Sequence, residues 1–141
     1  MFRTIFIVLC VLLLSACSAQ RLVLSLHTTN LINPDAKHQG LTLYVKIFQL
    51  NSADLFNKQS TNVLWKSTLG KTILSQKTLL LKNNDNKLIS IDLNKKTKFI
   101  AVLADFRNTT EKNKVLFAIN PGAFSATHIV ILIQNNQIKL E

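Results

Sequence analysis

Glycine is scarce in this chain, with three in 141 residues. A loop that cradles phosphates with backbone N–H groups needs several glycines close together, so nucleotide sites of that kind are excluded. Cysteine is nearly absent as well: Cys10 and Cys17 are the two. Acid is short, 7 Asp and Glu against 17 Lys and Arg, for a formal net charge of +10. The apolar run that opens the chain, Ile5 to Leu14, stops after ten residues. A helix that crosses the hydrocarbon layer needs about 20, so this run cannot span a bilayer.

What surrounds the run explains it. Arg3 precedes it and the small residues Ser15 and Ala16 follow, the three-part layout of a secretory signal. Leu14-Ser15-Ala16-Cys17 resembles the bacterial lipobox, in which cleavage falls just before a cysteine. Residues 1–16 are then a lipoprotein signal peptide, and Cys17 becomes the first residue of the mature chain. The resemblance implies a diacylglycerol on the Cys17 sulfur and an N-acyl lipid on its amine, with no other cofactor. One acyl chain is a marginal anchor, whereas two or three together hold durably. Ser18 stands where an aspartate would resemble an inner-membrane retention signal, so the outer membrane is the expected destination. Cys10 leaves with the signal, so no disulfide is available even though the compartment would permit one. Residues 17–27 form the lipidated N-terminus and first strand, and 21–141 form a single domain, long enough to bury a core.

The positive charge suggests nucleic acid, but its distribution does not. Lysines occur singly along nearly every segment, with one tight group at Lys95, Lys96 and Lys98. Fourteen lysines accompany fourteen asparagines, a compositional drift rather than a phosphate-binding face. No aromatic-plus-basic RNA motif is present, so no nucleic-acid partner is expected. The charge suits anionic lipid heads or an acidic partner surface.

Beyond the signal, apolar residues recur at a spacing of two, the period of half-buried strands. Leu22, Leu24 and Leu26 share one face of "RLVLSLH". Leu43, Val45 and Ile47 point inward in "LTLYVKIFQL", with Tyr44 and Lys46 outward. "TILSQKTLLLK" and "KLISIDL" flank the polar run Asn83 to Asn86, which reads as a hairpin loop. A turn near Asn94-Lys95 leads into "TKFIAVLADFR", the most hydrophobic mature segment and the expected central strand. "HIVILIQ", a turn at Asn135-Asn136 and "QIKLE" close the chain. Seven or eight such strands predict an all-β, two-sheet β-sandwich. Ser52 to Lys66 breaks the alternation and predicts a short helical insert starting near Ser52, a capping residue. Its Phe56, with Trp65, is expected to cover one open end of the sandwich, Trp65 as core rather than as a ligand platform.

No catalytic constellation emerges, and no enzyme is predicted. His27, His38 and His128 lie in separate segments, read as a strand end, a loop and a strand start, and none has a second ligand at metal spacing. No Gly-x-Ser-x-Gly elbow occurs, and an acylated Cys17 is no nucleophile. Asp105 near Arg107 reads as a charge pair.

The order of features carries a resemblance. A lipobox is followed by a first strand, then Asn33-Pro34-Asp35, then "VKIFQL" at 45 to 50, Phe56 in the helical insert, Leu69-Gly70, and "FIAVLADFR" at 99 to 107. This resembles the TssJ family, outer-membrane lipoproteins of type VI secretion systems. Where that family often has Pro-Gly this chain has Asn83 to Asn86. It has Ala101 in place of a glycine, and "KNKVLF" in place of a Trp-Arg pair, departures that suit a divergent branch of the pathogenicity-island type. The resemblance implies a transthyretin-like sandwich tethered to the outer membrane, a structural scaffold docking the periplasmic part of a TssM-like inner-membrane protein. It implies that the loop between the first two strands, Thr28 to Gly40, meets that partner through Asn30, Leu31, Ile32, Asn33, Pro34, Asp35, Lys37 and His38. Bottom-up, the loop is long for a hairpin connection and carries two apolar residues, Leu31 and Ile32. Either they await a partner or they fold back onto the sandwich. Pro34 would stiffen the loop and lower the ordering cost of binding. The alternative functions are a β-rich lipoprotein acting as pilotin or assembly chaperone of another secretion apparatus, or a lipid-anchored small-ligand binder.

Overall fold

Successive side chains of a strand point to opposite faces, so a strand of alternating leucines must bury one face. β1 (Arg21–Ile32) does so: Leu22, Leu24, Leu26 and Ile32 are fully buried. The structure, a computed structural model, describes residues 20–66, 69–108, 112–120 and 127–141. The signal segment 1–16 and Cys17 lie outside the described residues. Seven strands follow β1: β2 (Leu43–Leu50), β3 (Ile73–Leu81), β4 (Asn86–Asp92), β5 (Phe99–Ala104), β6 (Lys114–Ala118), β7 (Thr127–Asn135) and β8 (Gln137–Leu140). They form two four-stranded sheets, ordered β4-β1-β7-β8 and β3-β2-β5-β6. Every pairing is antiparallel except β1 with β7.

The inner faces of the two sheets enclose the main core. Leu22, Leu24 and Leu26 meet Leu43, Val45 and Ile47 there, with Ile100, Val102, Ile131 and Ile133. As expected, β5 occupies an interior place in its sheet and is buried almost throughout. Its outward residues are also apolar, and a strand that reads apolar on both faces needs cover on both.

The helical insert supplies that cover. Helix α1 (Asp54–Lys58) and helix α2 (Thr61–Trp65) have five residues each, too short to persist alone in water. They hold by burying Phe56 and Leu64 against Phe48, Leu50, Ala101 and Leu103, the outward residues of β2 and β5. Phe56 meets Phe48 edge to face, with ring centroids 6.2 Å apart. The insert therefore lies on the outer face of the second sheet rather than over an open end. Ser52 is not its cap. Ala53 holds that position without a side-chain hydrogen bond, and Ser52 Oγ accepts only a long 3.4 Å bond from the Asp54 N–H.

The run Asn83 to Asn86 is also not a hairpin loop. β3 pairs with β2 and β4 with β1, so the chain crosses from one sheet to the other there. Thr28 receives it: its Oγ1 donates to Lys82 O at 2.6 Å and accepts from the Asp85 N–H at 2.6 Å. The closing turn does form as expected, with Gln134 opposite Gln137 and Asn135 at φ 53°.

Candidate functional site

Strands β1, β3, β5 and β7 finish at one end of the sandwich, so four connections gather there. The longest well-described one is 33–42, between β1 and β2. It is held from within and from below.

Asp35 stitches the loop internally. Its Oδ1 accepts the N–H groups of Lys37 and Gln39, each at 2.8 Å. Its N–H donates to Gln39 O at 2.9 Å and its carbonyl accepts from the His38 N–H at 3.1 Å. Aspartate favours such turns because its short carboxylate reaches backbone two residues on. His38 takes φ 58° at the tip, and Pro34 forms a bridge with Gly40.

Asn33 fastens the loop to the sandwich. It takes φ 47°, a region asparagine tolerates better than most residues. Its Nδ2 donates to Thr42 O at 3.0 Å and its Oδ1 accepts from the Arg107 N–H at 2.7 Å. Its own N–H donates to Asn135 O at 2.7 Å. One nearly buried residue thus joins the β1–β2 loop to the segment after β5 through its side chain and to the β7–β8 turn through its backbone N–H. Asn83 completes the base, its Oδ1 accepting from the Ile32 N–H at 3.1 Å. Its side chain lies so close to Gly40 that a Cβ there would come within 2.1 to 2.6 Å of it.

The predicted loop residues divide accordingly. Asn30, Leu31 and Ile32 belong to β1, which runs five residues beyond His27. His27 is therefore mid-strand rather than at a strand end. Ile32 is fully buried and folds back into the core, Leu31 is half-buried and Asn30 is exposed. Asn33, Pro34 and Asp35 build the loop from inside, while Lys37 and His38 present side chains to solvent. Sequence reasoning missed Ala36, Gln39 and Leu41 as exposed neighbours of that tip. Leu41 has the same parity as the inward residues Leu43 and Val45, so no periodicity marks it as exposed. Beside it, Tyr44 is 52% exposed, opposite the part-exposed Leu80 of β3. The tip and this pair make a mixed basic and apolar surface.

The other candidates stay apart. Asp105 and Arg107 are exposed, and the two ion pairs among the described residues are Arg21 with Asp92 and Lys87 with Asp85. Ser25 Oγ lies 2.7 Å from His128 Nε2 on the outer face of the first sheet, far from the loops. A cleft of about 210 Å³ opens between β3 and β4, lined by Ser75, Lys77, Ser90 and Asp92 among others. That is below the roughly 300–1,000 Å³ of pockets that enclose small ligands. Among the described residues no group of His, Cys, Asp and Glu could hold a metal ion, and no helix is long and apolar enough to cross a membrane.

Comparison with known proteins follows the same lines. A family model described as Type VI secretion lipoprotein, VasD, EvfM, TssJ matches residues 20–136. No curated protein matches the sequence. Among solved structures, the T6SS lipoprotein TssJ1 from Pseudomonas aeruginosa superposes with a TM-score of 0.81 at 21% identity, over 88% of this chain and 96% of that one. Lip from Serratia marcescens, a membrane-bound component of the type VI secretion system, gives 0.79 at 16% identity, over 87% and 98%. A chain in the structure described as the T6SS protein TssM C-terminal domain (869-1107) from EAEC gives 0.77 at 21% identity, over 86% and 98%.

Proposed function

We propose, since this chain belongs to the type VI secretion lipoprotein family that includes TssJ, that it is an outer-membrane anchor and scaffold of a type VI-like envelope complex. It is acylated at Cys17, faces the periplasm, and docks a TssM-like inner-membrane protein through its loop end. It acts as a structural lipoprotein, not an enzyme.

The observation that carries the proposal is the polarity of β1. The strand enters the fold at Gln20, three residues after Cys17, and delivers loop 33–42 at its far end. Its 12 residues span about 40 Å at roughly 3.3 Å per residue. A lipid at the first end leaves the loop pointing away from the membrane. The loop's internal hydrogen bonds mean that little ordering entropy is lost when a partner binds. The EAEC structure described as the TssM C-terminal domain adds support, since a chain in it shares this fold over 86% of this chain.

The test is isothermal titration of the mature-length chain against the periplasmic domain of a TssM-like protein. Replacing Lys37 by Glu, His38 by Ala and Leu41 by Ser should weaken Kd at least about tenfold without moving the thermal midpoint. An unchanged affinity would sink the loop as the docking element.

A further inference from the structure

The end of the sandwich opposite the loops carries the one tight lysine group. Lys95, Lys96 and Lys98 sit in the connection between β4 and β5, and all three are exposed. Thr97 among them is turned inward. Its Oγ1 donates to Gln49 Oε1 at 2.7 Å, and the Asn94 N–H donates to the same oxygen at 2.9 Å. Gln49 Nε2 donates to Asp92 O at 3.1 Å. Asn94 Oδ1 accepts the Lys96 N–H at 2.9 Å, the Lys98 N–H donates to Leu50 O at 2.9 Å, and Lys98 O accepts from the Ile119 N–H at 2.8 Å. A nearly buried glutamine thus fixes the backbone of the turn, and three ammonium groups are displayed from a rigid base.

The position of the turn gives it meaning. The Leu93 N–H donates to Gln20 O at 2.9 Å, and Gln20 Nε2 donates to Asn120 O at 2.8 Å. The chain therefore enters the fold beside the lysine turn. From Gln20 back to Cys17 is three residues, at most about 10 Å when extended. Exposed Lys71 lies at the same end, where the Asn51 Nδ2 donates to its carbonyl at 3.3 Å. Among the described residues in this half, Arg21, Lys71, Lys95, Lys96 and Lys98 outnumber the acids Asp54, Asp92 and Glu141, the last following β8 beside Val130, and Asp92 is engaged by Arg21 at 3.2 Å. At the loop end Asp35, Asp85 and Asp105 intersperse Lys37, Lys82, Arg107 and Lys112, so the field there is mixed.

We propose that the Lys95-Lys96-Lys98 turn is a seating surface for anionic phospholipid headgroups. The direction of approach rests on the acylation reading given above. An acyl anchor fixes where the domain is but not how it tilts. Ammonium groups within about a Debye length of the membrane, roughly 8 Å at physiological salt, are drawn to anionic heads. That attraction holds β1 upright and the loop end outward.

The test uses the mature-length chain carrying Cys17→Ser, so that no acyl chain contributes, cosedimented with vesicles of phosphatidylcholine alone or mixed with phosphatidylglycerol. Binding should require phosphatidylglycerol and weaken as salt is raised. Lys95→Gln, Lys96→Gln and Lys98→Gln together should lower the partition coefficient at least about tenfold. The same charge removed toward the other end, at Lys82, Lys112 and Lys139, should change it less than about twofold, with circular dichroism confirming that both variants fold. Equal losses in the two variants, or equal binding to phosphatidylcholine alone, would overturn the proposal. Palmitate labelling of the full chain in cells reads acylation separately. An unlabelled chain whose headgroup selectivity persists would remove the anchor and leave the lysine surface standing.

Discussion

Asn33 and Gly40 carry the loop end, Asn33 through side-chain atoms that most other residues lack and Gly40 through the Cβ that it lacks. Replacing Asn33 by Ala deletes the bonds to Thr42 O and the Arg107 N–H and puts at φ 47° a residue that tolerates the left-handed region less well than asparagine. The expected loss is about 2–4 kcal/mol, combining unsatisfied buried groups with left-handed strain, read from urea unfolding. Asn33→Asp keeps the acceptor for Arg107 and should lose less than Ala does. At Gly40 the obstacle is steric. A methyl group would meet the Asn83 side chain at 2.1 to 2.6 Å, and moving Asn83 frees the Ile32 N–H. Gly40→Ala should therefore cost about 1–3 kcal/mol, and the Asn83→Ala background should relieve part of it in a double-mutant cycle. Little of this was legible beforehand. The Asn33-Pro34-Asp35 motif was visible, but Asn33 works through Arg107 and Asn135, which local chemistry does not connect to it. Asn135 was legible because its turn is closed by immediate neighbours.

Strands were readable wherever one face is buried, because the period of two survives in Leu22 to Leu26 and Leu43 to Ile47. It fails where a second layer arrives: Phe48, Leu50, Ala101 and Leu103 look like lapses in alternation until α1 and α2 are laid over them. The insert is thus a separate packing unit, and Phe56→Ala should cost about 3–5 kcal/mol. Hydrogen exchange should quicken in 54–65 while β1 and β7 stay protected, since they pack in the other core. Lys114 latches the insert, its Nζ donating to Phe56 O at 3.1 Å and Gln59 O at 3.3 Å above the Phe56 ring. Burial holds its pKa below the usual 10.5. A lysine whose folded pKa is lowered loses its proton first in the folded state, so its contribution to stability rises with pH between the lowered value and 10.5. Relative to Lys114→Met, the parent chain should gain stability in urea titrations moved from neutral pH to just below 10.5. An unchanged difference would mean that burial does not govern this amine.

For the whole molecule, what matters is which connections meet at which end, and that depends on pairings no local pattern reveals. The Asn83 to Asn86 run has the composition of a hairpin loop, yet β4 leaves β3 for β1, and Thr28 holds the crossing by binding both Lys82 O and the Asp85 N–H. That crossing closes the sandwich along one side and puts loops 33–42 and 82–85 together, opposite Gln20. Under the proposed function one end of the sandwich is for attachment and the other for docking, joined by the long strand β1. Separating the two functions should be possible because no side chain serves both. Cys17→Ala should leave the circular dichroism spectrum and the affinity for the TssM-like domain unchanged within about twofold, while moving the protein from the membrane to the soluble periplasmic fraction. The Lys37, His38 and Leu41 replacements should do the reverse, staying in the outer-membrane fraction and losing the partner. If Cys17→Ala still fractionates with the outer membrane, the acyl anchor is wrong. If it also loses affinity for the isolated partner domain in solution, the independence of the two ends is wrong, because no lipid takes part in that measurement.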